Sequence, residues 1–120
     1  MTYEQPFNDF FRDKTKKFAL EIIKYLAKLP KTDEIRIIKN QLLRSATSVA
    51  ANFRAACRAR SEAEHFAKMC IVVEEADESL FWLEILIEAD LDKSETLNNL
   101  KIDAGNIVAI AAKTRKSLKN

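Results

Sequence analysis

The sharpest chemical signal in the sequence is Glu62-Ala63-Glu64-His65, a glutamate three residues ahead of a histidine. On a helix that spacing sets a carboxylate and an imidazole on one face, the arrangement with which di-iron bundles grip metal. Such a centre needs two of these motifs and two further inward carboxylates near mid-bundle. The chain has one histidine, and it falls in the first turn of its helix, so the spacing is read as coincidence and no metal is expected. A second group, Glu74, Glu75, Asp77 and Glu78, offers carboxylates for acid–base work. Residues this close in sequence spread around a helix, and a solvated or salt-bridged face is the reading. The sequence has no glycine-rich phosphate loop and no nucleophile grouped with a base and an orienting residue. No enzyme activity, cofactor or small-molecule substrate is expected.

Cys57 and Cys70 are the two thiols. On successive antiparallel helices they differ by about eight residues in distance from the turn near Ala59. At about 1.5 Å per residue, their Cα atoms lie well beyond the roughly 7 Å a disulfide spans. Free, partly buried thiols are expected, which suits a reducing cytosol. Neither has a second Cys or His near enough in sequence to suggest zinc or catalysis.

The elements that carry these residues follow from composition and periodicity. A chain of 120 residues that is 48% hydrophobic can bury one core, so residues 1–120 are read as one domain. One glycine and two prolines leave few turn or bulge positions, and the class is all-α. No apolar run approaches the roughly 20 residues that cross a bilayer. The opening MTYEQPFNDFF lacks the basic and apolar segments of a secretory signal, so a cytoplasmic protein with no membrane partner is expected.

Four helices are predicted, at about 9–29, 33–57, 62–89 and 94–117. The first carries Phe11, Phe18, Ile22, Tyr25 and Leu29 on one face and stops at Pro30. Thr32 caps the second, whose stripe is Ile35, Ile38, Leu42, Ala46, Val49, Phe53 and Ala56. Ser61 and Glu64 read as a capping box for the third, with Phe66, Met69, Val73, Ala76, Leu80, Leu83 and Ile87 inside. Asp92 or Ser94 caps the fourth, with Leu97, Leu100, Ala104, Ile107 and Ala111 inside. Short connections imply an up-down-up-down antiparallel four-helix bundle.

Three surfaces are left over. A second stripe on the third helix, Ile71, Glu75, Glu78, Trp82, Ile85 and Ala89, lies almost opposite its core. Trp and Ile on an outward face mark protein interfaces, so Ile71, Glu75, Trp82 and Ile85 are the candidate oligomer contact. The alternative is that helix tilt, or the segment with Phe7 and Phe10, covers Trp82. Small side chains line a back face of the second helix, with Arg44, Ser48, Ala51 and Ala55, and of the fourth, with Gly105, Ala109 and Ala112. A close helix contact is one reason to keep Gly105, since glycine costs about 1 kcal/mol relative to alanine in a helix.

The third surface is electrostatic. Residues 1–60 hold 13 Lys/Arg against 6 Asp/Glu, residues 61–100 hold 2 against 11, and residues 101–120 hold 5 against 1. Up-down topology gathers Arg12, Lys14, Lys16 and Lys17 with Arg54, Arg58 and Arg60 and with Lys113, Arg115, Lys116 and Lys119 at one end. Glu84, Glu88, Asp90, Asp92 and Glu95 fall at the other. A basic face attracts phosphate backbones in a salt-dependent way. Equally, cations at helix C-termini offset the macrodipole and charged tails aid solubility.

Beside the apolar stripe of the second helix runs a polar line, Gln41, Ser45, Ser48 and Asn52. Buried, such a line must be hydrogen-bonded. It is read as a structural network with Arg44 reaching Glu78 or Glu84; the other reading is a ligand or RNA contact.

From Gln41 to Leu86 the chain reads QLLRSATSVAANFRAACRARS and then EAEHFAKMCIVVEEADESLFWLEIL. This resembles the bacterial four-helix bundle protein family that includes proteins encoded in intervening sequences of large-subunit ribosomal RNA genes. The marks are Gln41, Arg44, Ser48 and Asn52, then Ser61 and Phe66, then Glu78-Ser79-Leu80 leading into Trp82-Leu83-Glu84. The resemblance covers the chain from about Phe11 and implies an up-down bundle that assembles as a ring-shaped homopentamer, without enzymatic activity. A related branch, the accessory variability determinants of diversity-generating retroelements, is similar in fold and implies a basic pentamer that binds reverse transcriptase and nucleic acid. This chain departs from a common family pattern, Glu-Gly shortly after the motif asparagine, because Asn52 is followed by Phe53, Arg54, Ala55 and Ala56. The expected function is a non-enzymatic homo-oligomeric bundle whose basic face, Lys14, Lys17, Arg54, Arg58, Arg60, Lys113, Arg115 and Lys116, engages RNA or a nucleic-acid-handling protein. The alternative is a protein-interaction scaffold that binds no nucleic acid.

Overall fold

The computed structural model describes residues 5–118. Four helices follow one another: α1 (Gln5–Leu26), α2 (Asp33–Cys57), α3 (Glu62–Glu88) and α4 (Glu95–Ser117). Each packs on its two neighbours around a ring, α1 and α3 both lying between α2 and α4, and the backbones of the diagonal pairs stay apart. The α2–α3 seam is the most extensive and the α1–α4 seam the thinnest. The result is the expected four-helix bundle, 46 × 21 × 20 Å.

The caps act where the sequence puts them. The side chains of Thr32, Ser61 and Ser94 accept the backbone N–H of Ile35, Glu64 and Leu97, each satisfying one of the donors a helix start leaves free. α1 begins a turn earlier than predicted. Pro6 suits the first helical turn, where its missing N–H is not needed, and Phe7 gains a stacked contact with Phe11 at 5.6 Å and an edge contact with Phe53 at 6.2 Å. It also ends earlier, at Leu26. Ahead of Pro30 the last turn tightens, with Lys28 and Leu29 bonding the carbonyls three residues back.

α3 closes in a Schellman arrangement, Leu91 N–H on the Leu86 carbonyl and Asp90 N–H on that of Ile87. Asp90 takes the left-handed conformation this requires, at φ 56°.

The core runs from Phe11 and Phe53 at one end to Tyr25, Leu97 and Leu100 at the other. On α3 the buried residues are Met69, Val72, Ala76, Ser79, Leu83 and Leu86. The predicted stripe therefore turns toward α2, leaving Phe66, Val73, Leu80 and Ile87 half-buried. A pattern scored on apolar residues alone passes over Ser79, which is fully buried.

Within the chain, Gly105 makes no close helix contact. A Cβ built there meets nothing within 4 Å. Gly105→Ala is accordingly expected to raise the unfolding free energy by about 1 kcal/mol in a urea melt, because only the helix propensity changes. A lowered midpoint would mean that some other surface packs on this position.

Candidate functional site

One end of the bundle collects the starts of α1 and α3 and the finishes of α2 and α4. Phe11 and Phe53 meet edge to face at 4.8 Å and tie α1 to α2 there. The α2–α3 corner is tied by His65, whose Nδ1 lies 2.7 Å from the Ala56 carbonyl and donates to it. The only histidine is thereby engaged with backbone, and no carboxylate of the Glu62 motif shares that contact.

The cations predicted for this end are here. Arg54 and Arg58 finish α2, Arg60 sits in the corner, and Lys113, Arg115 and Lys116 occupy the last turns of α4. Lys14 and Lys17 stand farther along α1, with Lys14 half-buried and Lys17 exposed. Among the described residues, none of these eight lies within 4 Å of a carboxylate; the ion pairs are Arg12–Asp9, Arg36–Asp33 and Arg44 with Glu75 and Glu78. Arg12 is thus partly neutralised, at 2.6 Å from Asp9. Lys119 lies outside the described residues.

A shallow groove of about 630 Å³ opens between α3 and α4 at this end. Phe66, Ala112 and Leu118 form its apolar wall, and Lys113, Arg115 and Lys116 stand around it. Sequence reading assigned Phe66 to the core. Its place at the edge of the α3 stripe follows from the same turn toward α2.

The polar line on α2 divides in two. Inside the α2–α3 seam, Ser79 Oγ donates to Ser45 Oγ at 2.9 Å and Ser45 Oγ to the Leu42 carbonyl at 3.2 Å, both hydroxyls being fully buried. Outside it, Arg44 reaches Glu78 at 2.6 Å and Glu75 at 3.0 Å. Asn52 bonds Ser48, through both its carbonyl and its hydroxyl. Gln41 is exposed. Glu84 does not join this network, contrary to expectation. Six residues beyond Glu78, it stands on the side of α3 turned away from Arg44, while Glu75, one turn back, takes the second guanidinium contact. Ser79 was the missed partner. Its spacing, three after Ala76 and four before Leu83, carried the signal.

Trp82 flanks the core instead of opposing it. It is half-buried against core residues and its Nε1 donates to Glu78 at 3.1 Å. Phe81, edge-on to it at 4.9 Å, is the exposed aromatic of this face, and Ile71 and Ile85 are half-buried. Phe7 does not cover Trp82, since it packs at the other end, on Phe11 and Phe53. Burial alone would raise the Glu78 pKa. The bonds from Trp82 and Arg44 outweigh it and hold the carboxyl below the usual range.

At the acidic end, Tyr25 of α1 donates to Asp92 Oδ2 at 2.7 Å, and Ser94 donates to the same oxygen at 2.7 Å. The Ser94 bond leads in lowering the Asp92 pKa, while burial raises that of Tyr25. Beside this link a groove of about 590 Å³ mixes Lys24 and Lys28 with Glu21, Asp92 and Asp103. Cys57 and Cys70 are free and half-buried. Among the described residues, no helix is long and apolar enough to cross a membrane.

A family model described as 23S rRNA-intervening sequence protein matches residues 11–113. Among solved structures, the chain is similar to a protein with unknown function from the S23 ribosomal protein family of Bacteroides thetaiotaomicron VPI-5482, determined at 1.70 Å. The two share 30% sequence identity over 92% of this chain and 98% of that one, with a TM-score of 0.81. No curated protein matches the sequence.

Two expectations follow from the seam. Because the pKa of Glu78 is depressed in the fold, its contribution to stability is present above the unfolded value and is lost as pH falls through the folded one. The single tryptophan reports this directly. Its emission should shift as pH falls below the usual carboxylate range in the intact protein and lose that shift in Glu78→Gln; equal titrations would dissociate the carboxyl from Trp82. For the buried hydroxyls, a Ser45→Ala/Ser79→Ala double-mutant cycle should give a coupling of about 1 kcal/mol, and strict additivity would deny the bond.

Proposed function

The chain belongs to the 23S rRNA-intervening sequence protein family, and from that premise we propose that it is a non-enzymatic, homo-oligomeric bundle that contacts RNA through its basic end. The observation that carries this reading is the convergence of unpaired cations. Arg54, Arg58 and Arg60 come from the α2–α3 corner and Lys113, Arg115 and Lys116 from the finish of α4, and none has a carboxylate within 4 Å among the described residues. Cations that merely offset the dipoles of α2 and α4 need only lie in their last turns. Arg60 lies beyond the end of α2 and stays exposed, a position that serves an external anion better than its own helix.

Self-association through the α2–α3 face is supported by the same chain. Phe81 is 47% exposed beside Trp82, with Ile71 and Ile85 in reach of a partner on the same helix. Aromatic side chains at the rim of a packed seam supply contact area at low entropic cost. The assembly we propose is a homopentamer, acting in the cytoplasm, and repetition of the basic end around a ring multiplies the charge offered to one RNA.

The test is anisotropy of a labelled single-stranded RNA at low and physiological salt, with an Arg54/Arg58/Arg60→Gln variant alongside. Binding should fall steeply with salt, and the variant should flatten the log–log slope by up to about 2, at roughly 0.7 per phosphate contact on a single strand. Absence of binding even at low salt would overturn the RNA reading and favour a scaffold for a protein partner.

A further inference from the structure

We propose that the groove between the start of α3 and the finish of α4 holds an unpaired nucleobase of a single RNA strand, stacked on Phe66, with the flanking phosphates on Lys113, Arg115 and Lys116. This deepens the RNA reading and rests on it. The groove combines two features. Its wall is apolar, formed by half-buried Phe66 of α3 together with Ala112 and Leu118. Around that wall stand three cations without a carboxylate in ion-pairing reach among the described residues. The groove at the acidic end has similar volume but sets Lys24 and Lys28 against Glu21, Asp92 and Asp103, and offers no aromatic face free of a hydrogen-bonded partner, since Tyr25 is committed to Asp92.

The pairing of an aromatic ring with free cations discriminates between forms of RNA. Phosphates are equally available on duplex and single strand, so lysine and arginine alone attract both. A ring gains only from a base whose face is open, and in a helix the bases are already stacked on one another. Dipole compensation accounts for cations in the last turns of α4 but not for an aromatic wall between them. The local backbone keeps the wall in place. Leu118 N–H bonds the Arg115 carbonyl at 3.1 Å, which closes α4 and sets Leu118 across from the start of α3. Phe66 sits one turn after the Ser61 cap and next to His65, whose bond to Ala56 fixes the corner. The groove is open to solvent, so a base would lie against Phe66 with one face exposed and the core need not rearrange.

The test compares a short labelled single-stranded RNA with a blunt duplex of the same sequence, using the full chain, Phe66→Leu, Phe66→Tyr and a Lys113/Arg115/Lys116→Gln variant, each checked by thermal melting. Phe66→Leu is expected to weaken single-strand binding about fivefold or more while leaving duplex affinity and salt slope unchanged, and Phe66→Tyr to retain it. The charge variant should weaken both RNAs and flatten the salt dependence. Photocrosslinking of an RNA carrying 5-iodouridine to the unaltered protein gives a readout that needs no variant, with the crosslink expected in the peptide containing Phe66. Wild-type single-strand binding by a folded Phe66→Leu, or crosslinks confined to other segments, overturns the stacking pocket. If the charge variant still loses salt-dependent binding in that case, the basic-end reading stands without it. If neither variant changes binding, both fail.

Discussion

Two serine hydroxyls buried between α2 and α3 fix the register from which the other features follow. Ser45 and Ser79 are both fully excluded from solvent, and their mutual bond is the only partner either can find across the helix pair. Sliding α3 along α2 by one turn, about 5.4 Å, would leave the cross-helix bond unmade and set each hydroxyl against apolar side chains. Each hydroxyl keeps a backbone acceptor in its own helix, Leu42 for Ser45 and Glu75 for Ser79, so the slip costs about the 1 kcal/mol of the lost cross-helix bond. An all-apolar seam of leucine and alanine would tolerate the slip far better. The two hydroxyls therefore select one alignment among several that hydrophobic packing alone leaves close in energy.

With that alignment set, the exterior of the seam follows. Arg44, one residue before Ser45, meets Glu75 and Glu78, which lie four residues and one residue before Ser79. The guanidinium is half exposed, so its direct contribution to stability is small. Its larger effect is on Glu78, kept charged and thus kept as the acceptor for Trp82. The alignment also decides which ends meet. It brings the finish of α2 to the start of α3 closely enough for His65 to bond Ala56, and so delivers Arg54, Arg58 and Arg60 to the same end of the bundle as Phe66. At the other end, Asp92 accepts from both Tyr25 and the cap residue Ser94, which closes the thin α1–α4 seam through a carboxylate shared between a helix start and a neighbouring helix.

Much of this was legible in the sequence because it depends on local rules. Thr32, Ser61 and Ser94 announce helix starts by type and position, and the 3/4 spacing of Leu42, Ala46, Val49 and Phe53 has one helical reading. The seam was harder for a physical reason. α3 is apolar on more than one face, so periodicity gives several acceptable core stripes, and only the pairing with Ser45 chooses the one that contains Ser79. Of the two partners read for Arg44, Glu78 makes the contact, whereas helical phase turns Glu84 away. For Gly105, whose helix cost made a close contact one reason to keep it, the surroundings within the chain are open. Tyr25 and Asp92 are 67 residues apart, and nothing local to either signals the other. Cap and periodicity rules see a few residues; a cross-helix bond is set by tertiary geometry.

The family relationship and the charge layout bear on function at different levels. At 30% identity and a TM-score of 0.81, what this chain shares with its solved relative is the path of four helices. A helical bundle of this kind presents its helix ends as two opposed surfaces, and each surface takes residues from all four helices. Changing the ends leaves the core intact, because the residues that fill it, from Phe11 to Leu100, occupy the helix interiors. In this chain small side chains, Ala55, Ala56 and Ala59, separate the exposed Arg54, Arg58 and Arg60. Catalysis demands several side chains held to within a fraction of an ångström, and a bundle end built of arginine and lysine on long flexible stems is poorly suited to that. Attraction of a polyanion demands less, a local excess of cations such as the finish of α2 and the last turns of α4 supply. A conserved path of four helices can therefore carry different partners in different members, with the core fixing where the ends lie and the end residues deciding what they meet.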